Sequence, residues 1–237
     1  MIELWSPLIS LITPTFNESK NLSESIRRIQ ESLKNYFFEI IIVDDNSPDG
    51  CGEIADLFAK NYSNIKVLHR ESKKGLGTAY KEGFSLTSGD LIISMDSDLS
   101  HDASYLPLLI EAAKESNIVI GSRLCHGGSI EGRSFYRDFL TYFTNKFIKY
   151  FTRKGIDDWT SGFRVYHRDS WMNLMPEVHC NKWDFQFESL FKALKMGYNV
   201  KEVPIVFYER AEGSSKFGLA DMFLFIQSFF SVVTNRK

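Results

Sequence analysis

The stretch LIISMDSDLSHD, residues 91–102, runs from four apolar residues and a serine into two carboxylates one residue apart, Asp96 and Asp98. A short apolar run bounded this way reads as a buried strand. Along an extended segment side chains alternate faces, so positions i and i+2 point the same way. Asp96 and Asp98 are therefore expected to share one side of a solvent-facing rim, where their repulsion calls for a cation. A hard divalent ion with oxygen ligands, Mg²⁺ or Mn²⁺, meets that demand.

Working outward, the first half of the chain alternates. LISLIT (8–13), FFEIIIVDD (37–45), IKVLH (65–69), LIISM (91–95) and NIVIGS (117–122) read as strands. Between them, helices are expected over 21–33, around Ile54, Leu57 and Phe58, from 77 to 86, and from 104 to 115. Strands alternating with helices imply crossover units and a mainly parallel sheet, an α/β fold. Ligands of such sheets bind beyond the carboxyl ends of the strands. Thr13-Pro14-Thr15-Phe16-Asn17-Glu18, Asp44-Asp45-Asn46-Ser47 and Asp96-Ser97-Asp98 all lie at such ends.

Composition narrows the classes. The 237 residues, 43% hydrophobic and 24% charged, suffice for one large domain with a substantial core. A net charge of −2 gives no electrostatic footprint for nucleic acid. Three cysteines, Cys51, Cys125 and Cys180, lack the spacing of a zinc site or a disulfide framework and fit a reducing compartment. The N-terminus reads as a first strand, not a signal peptide. No apolar run approaches the roughly 20 residues that span a bilayer.

The glycines do not mark a dinucleotide or ATP site. TPTFNE, after the first strand, holds none, and KKGLGTAYKEG (73–83) lacks the GK[ST] ending of a phosphate loop. Tight turning and close packing explain Gly75, Gly77 and Gly83. From about residue 122 the alternation stops. RSFYRDFLTYFTNKFIKYFTRKG is helical in period and dense in aromatics, with Arg133, Arg137, Lys146, Lys149, Arg153 and Lys154 against one acid, Asp138. DDWTSGFRVYHRDS, a helix in WDFQFESLFKALKMG, a strand in VKEVPIVFY, the loop ERAEGSSKFG and the apolar LADMFLFIQSFFSVVT follow.

Taken in order, these motifs resemble the polyprenyl-phosphate glycosyltransferases of family 2 with the GT-A fold, above all the dolichol-phosphate mannose synthase branch. TPTFNESKNL stands where the family has PTYNE, and IIVDDNSPDGC where it has VDDGSPDGT. GLGTAYKEGF, MDSDLSH, GSR, DWTSGFRVY, FQFE and VPIVFYERAEGSSKFG complete eight ordered blocks. The resemblance implies that Pro14, Phe16, Glu18, Val43 and Asp45 line a sugar-nucleotide site, and that Asp96, Ser97 and Asp98 meet the diphosphate through Mg²⁺ or Mn²⁺. It places Arg123, Arg210 and Lys216 around the donor phosphates and acceptor, and Arg137 and Thr141 at the acceptor phosphate. Phe16 replaces the family's Tyr, Asn46 replaces a Gly of the same turn, and Ser100 stands where some members have a Gln metal ligand.

The implied reaction is metal-dependent, inverting transfer of one hexose, mannose from GDP-mannose, to a dolichyl-type phosphate. UDP-glucose as donor, a saccharide or protein hydroxyl as acceptor, and an idle nucleotide-sugar-binding scaffold are the alternatives. A phosphate acceptor is already anionic and needs cations for positioning, whereas a hydroxyl needs a base. The absent QxxRW motif of processive synthases also favours the phosphate. The loop carrying Arg210 and Lys216 suits a lid over phosphates. The expected organisation is a catalytic domain over 1–218 and an amphipathic helix over 219–237. The aromatic, basic segment 133–154 suits an interfacial helix on an anionic membrane, or a core or dimer seam. The expected location is cytoplasmic, peripheral on the cytosolic face of a membrane, or with an anchor absent from this chain. Several residues have two readings. Asp44 serves a turn or a second metal pair, and His101 structure or metal. Asp157 and Asp158 serve a turn or a base. Gln186 and Glu188 touch the sugar or hold arginines, and Trp159 and Trp183 border the acceptor groove or pack.

Overall fold

The structure, a computed structural model, describes residues 5–182, 184–209 and 219–234, the side chains of 219–224 excepted. The strands are β1 (Ile9–Thr15), β2 (Phe38–Asp44), β3 (Ile65–His69), β4 (Leu91–Ser94), β5 (Ile118–Ser122), β6 (Ser129–Glu131), β7 (Arg164–His167), β8 (Val200–Pro204) and β9 (Val206–Tyr208). The helices are α1 (Ser19–Leu33), α2 (Cys51–Asn61), α3 (Leu76–Phe84), α4 (Leu106–Ala112), α5 (Phe135–Thr152), α6 (Arg168–Leu174), α7 (Asp184–Lys195) and α8 (Leu219–Val233). Seven strands form one sheet in the order β3-β2-β1-β4-β7-β5-β8. All run parallel except β7, which is antiparallel to both β4 and β5.

Period-two alternation divides the core. Ile9, Leu11, Ile40, Ile42, Leu91 and Ile93 pack with α1, α2 and α4 on one face. Ile12, Ile41, Val43 and Ile92 pack with α3, α6 and the start of α7 on the other. Each such fully buried side chain contributes about 1.5–3 kcal/mol. A third cluster joins Ile148 of α5, Phe187 and Leu190 of α7, and Phe225, Phe229 and Val232 of α8. The glycines of 73–83 do what packing requires. Gly75 turns the chain at φ +111°, and a Cβ on Gly83 would lie 2.8 Å from Ile12 and Val43, so α3 rests directly on the sheet.

Two local expectations need correction, and strand β7 was not foreseen. The helix foreseen over 104–115 is α4 with a single 3₁₀ turn on either side, at Ala103–Tyr105 and Ala113–Glu115. VKEVPIVFY is two strands: β8 stays in the main sheet, and after Pro204, which has no N–H to donate, β9 leaves to pair in parallel with β6. The reversed direction of β7 brings the chain before it, residues 157–163, to the rim where the parallel strands end. Among the described residues no helix is long and apolar enough to cross a membrane.

Candidate functional site

At the ends of β1 and β2, Asp45 is buried and accepts a 2.7 Å hydrogen bond from Arg70 Nη1. Burial pushes the Asp45 carboxyl above its ordinary value, against the pull of Arg70 and Lys73. Arg70, absent from the sequence reading, also donates to Thr78 Oγ1. Lys73 stands 4.4 Å over the Phe16 ring, and Glu18 accepts from Asn21 Nδ2. Pro14, Phe16 and Glu18 are half-buried at the carboxyl end of β1 and in the turn after it. The Val43 side chain is fully buried beneath α3, so only its main chain can reach a ligand. Asp44 takes the turn role: its Oδ2 accepts from Ser47 N. Asn46 holds the left-handed φ of +60° that its replacement of glycine anticipated.

The loop after β4 departs from the alternation argument. The strand ends at Ser94, and Leu99 adopts φ +64°, unusual for a branched side chain. Asp98 stabilises that turn by accepting from Ser100 N and Oγ. It is only 3% exposed, not a solvent-facing rim residue as expected. Ser97 Oγ donates to Pro14 O and ties this loop to β1. Tyr80 OH donates to Asp96 Oδ1 at 3.2 Å, and burial followed by the Asp96 charge pushes the phenol well above its ordinary value. Tyr80 and His101 each feel the charge of both carboxylates.

Beside Asp96 opens a pocket of about 260 Å³ between the rim, α5 and α7. Arg123, Arg137 and Thr141 all line it, brought together as expected, and Arg133 joins them. Arg123 is held by Asp158 in a two-pronged pair, Nε to Oδ2 and Nη2 to Oδ1, each 2.7 Å. Burial works against that ionised pair, but the opposed charges outweigh it: Asp158 lies below and Arg123 above their ordinary values. Asp158 also accepts from Thr160 N and Ser161 N, so it is a clamp and not a base. Burial and the neighbouring Arg123 charge depress Arg133, an under-compensated cation. Glu209 Oε1 accepts from Arg137 Nη1 at 2.6 Å across the pocket.

His101 is buried between the Phe163 and Phe207 rings, and burial pushes it below its ordinary value, so it is neutral near pH 7. Trp159 is wholly buried and packs on Phe187. Glu188 accepts from His179 N and Cys180 N and is structural. Arg210, Lys216 and Trp183 lie outside the described residues. Arg133 and Glu209 escaped the sequence reading of the site: Arg133 lies two residues before α5, and Glu209 directly follows β9.

A family model described as Glycosyl transferase family 2 matches residues 10–174. The chain belongs to that family. It is 34% identical over 209 residues to an undecaprenyl-phosphate mannosyltransferase of Micrococcus luteus, covering 86% of this chain and 85% of the relative. A polyprenol monophosphomannose synthase of Mycolicibacterium smegmatis is 35% identical over 212 residues, 87% of this chain and 79% of the relative. A dolichol-phosphate mannosyltransferase of Pyrococcus furiosus is 35% identical over 230 residues, 95% of this chain and 63% of the relative. Among solved structures, glucosyl-3-phosphoglycerate synthase from Mycobacterium tuberculosis, in complex with Mn²⁺, UDP and phosphoglyceric acid, superposes with a TM-score of 0.71 at 17% identity. That match covers 97% of this chain and 78% of the other. A mannosyltransferase from Pyrobaculum calidifontis, in complex with GDP-Man and Mn²⁺, gives 0.63 at 16% identity over 89% of this chain and 59% of the other. The fold of this glycosyltransferase is the expected GT-A fold, with a mostly parallel sheet flanked by helices.

The donor set of the glycosyltransferase fits a hard divalent ion. Asp96 and Asp98 offer carboxylate oxygens, and among the described residues no Cys or Met lines the pocket beside Asp96. Among the described residues no three His, Cys, Asp or Glu side chains cluster as a complete metal cage. A resident ion would therefore take its remaining ligands from substrate oxygens and water.

Proposed function

We propose that this glycosyltransferase moves one hexose, mannose from GDP-mannose, onto a polyprenyl phosphate with inversion at C1. The observation that carries the reading is the pocket beside Asp96. It gathers Arg123, Arg133 and Arg137 around one space, and among the described residues the neutral imidazole beside them, His101, is enclosed between the Phe163 and Phe207 rings. Of the carboxylates lining it, Asp96 belongs to the donor side and Glu209 is paired with Arg137. Such a site suits an acceptor that arrives already anionic. The names of the relatives above support mannose and a polyprenyl phosphate; UDP-glucose is the alternative donor.

In this mechanism Asp45 with Arg70, Pro14, Phe16, Glu18 and the Val43 main chain hold the nucleoside end. Asp96 and Asp98 would hold Mg²⁺ or Mn²⁺, which would supply Lewis-acid stabilisation of a departing diphosphate, worth several kcal/mol. Ser97 fixes the loop between them to β1. Arg123, fixed by Asp158, acts with Arg133, Arg137 and Thr141 to position the acceptor phosphate against donor repulsion. A phosphate oxygen attacks C1, the C1–O bond to the diphosphate breaks, and its electron pair leaves with the nucleoside diphosphate. Attack opposite the leaving group gives a β-linked product from an α-linked donor. Arg210 and Lys216 would add cations to the phosphates.

A lipid acceptor fits the outer surface of α5. Phe135, Tyr136, Phe139, Phe143 and Tyr150 are each more than half exposed, against the alternative that this aromatic helix is core. Such a face suits peripheral binding to the cytosolic side of an anionic membrane. Purified full chain with Mn²⁺, labelled GDP-mannose or UDP-glucose, and short-chain polyprenyl phosphate tests the reading. Labelled sugar extracted into chloroform is the expected outcome. Label found only on hydroxyl acceptors, or none transferred, defeats it.

A further inference from the structure

Gln186, in the first turn of α7, is 3% exposed, yet neither Nε2 nor Oε1 has a hydrogen-bond partner among the described residues. Burying an amide unpaired is unfavourable, so such groups are rare in native interiors. Gln186 is not adrift. Its neighbours Phe185 and Phe187 are buried anchors, and Ser189 Oγ donates to its carbonyl. Phe185 stacks on Tyr80, whose hydroxyl donates to Asp96. One chain of contacts thus fixes the amide relative to the carboxylate.

A second, independent observation lies between them. Gly162, delivered to the rim by the reversed β7, leaves a cradle. A Cβ placed there would lie 3.4 Å from Gln186 Nε2 and 3.6 Å from Asp96 Oδ2. Asp96, Gly162 and Gln186 line the same pocket. A carboxylamide offers a donor and an acceptor side by side, which suits a pair of neighbouring hydroxyls.

We infer that Gln186 is a specificity-determining residue: its amide binds hydroxyls of the donor's hexosyl ring, which sits over Gly162 between the amide and Asp96. This rests on the nucleotide-sugar reading of the site and deepens it. The sugar supplies the partners that the fold withholds. It also locates C1 between the Asp96 side of the pocket and the arginines. A site built to hydrogen-bond a hydroxyl discriminates sharply against a sugar lacking it, because the buried amide is then left unpaired.

The test is calorimetric, on the full chain with Mn²⁺. It compares GDP-mannose and UDP-glucose with GDP and UDP, in wild type, Gln186→Met and Gly162→Ala. Met keeps the length of the side chain and removes the amide; Ala meets its neighbours only at ordinary contact distance. The expected result is about a 10- to 100-fold loss of affinity for the preferred nucleotide sugar, with nucleoside-diphosphate affinity held within about twofold. Gln186→Met should also melt higher by about 2–4 °C, since it removes an unsatisfied group. A deoxy donor lacking the bound hydroxyl should lose affinity in wild type and lose no more in Gln186→Met. Equal losses for sugar-bearing and sugar-free nucleotides, no loss for either, or a lower melting temperature for Gln186→Met would overturn the assignment. Wild-type protein that binds no nucleoside diphosphate would instead defeat the functional reading itself.

Discussion

Asp158→Asn separates positioning from chemistry. In the native protein Asp158 is fully buried and accepts from Arg123 N, Nε and Nη2 as well as from two further amides. Asparagine nearly preserves the volume but removes the charge and turns an NH₂ toward guanidinium donors. Breaking one partner of a buried pair typically costs about 3–5 kcal/mol, because the other charge is left uncompensated. At about 2–4 °C per kcal/mol for a chain of this size, the melting temperature should fall by roughly 6–20 °C. The loss has a pH signature. Asp158 is depressed below its ordinary value, so its contribution is complete above the unfolded-state pKa of about 3.9 and disappears as pH falls through the native one. Wild type and variant should therefore differ most near neutrality and converge in acid. With Arg123 released, KM for the polyprenyl phosphate should rise while nucleoside-diphosphate affinity holds. Calorimetric melts from pH 2 to 7, with acceptor titrations, check this. A shift under about 2 °C at pH 7, or a gap that widens as pH falls below about 3.9, refutes the reasoning.

Glu209→Gln removes the carboxylate that occupies Arg137. Both side chains are about 30% exposed, so the pair is worth only about 1 kcal/mol, and KM for the acceptor should fall roughly fivefold. A collapse of kcat in steady-state assays would instead make Glu209 a base and the acceptor a hydroxyl. Asp98→Asn, which retains an oxygen for Ser100 N, should abolish Mn²⁺ uptake and transfer but leave the melt nearly unchanged. Asp98→Ala should also lose about 1–2 kcal/mol of stability, both read by calorimetry. Phe139→Ser with Phe143→Ser should weaken co-sedimentation with anionic vesicles by about 10- to 100-fold, without lowering the melting temperature, since both rings are exposed.

Much of the first half was legible because burial on both sheet faces forces continuous apolar runs. Strands β1 to β5 lie within one or two residues of the expected ranges, and Ile65–His69 matches throughout. Strand β7 was not, since four residues of RVYH carry no alternation, and a direction within a sheet is set by tertiary pairing. The same-face argument for Asp96 and Asp98 does not carry over, because the strand ends at Ser94, Leu99 is left-handed and Asp98 is buried. Arg123, Arg137 and Thr141 came together as the motifs implied. Arg133 did not stand out, because it precedes α5 and reaches the pocket only through the turn at Ser134. The lack of partners around Gln186 is a three-dimensional fact with no sequence signal beyond its place in FQFE.

The reversed strand at the centre of the sheet bears on how the chain is made. On the ribosome, LIIS and IVIGS emerge well before the segment that belongs between them. Until residue 164 leaves the exit tunnel, both strands present open, apolar edges, the kind that recruit stray chains. Insertion of β7 closes the facing edges of β4 and β5 and, in the same event, carries Asp158 and Gly162 to the rim; the outer edge of β5 waits for β8. Closure of the sheet's centre and delivery of these two rim residues are thus a single step of biosynthesis.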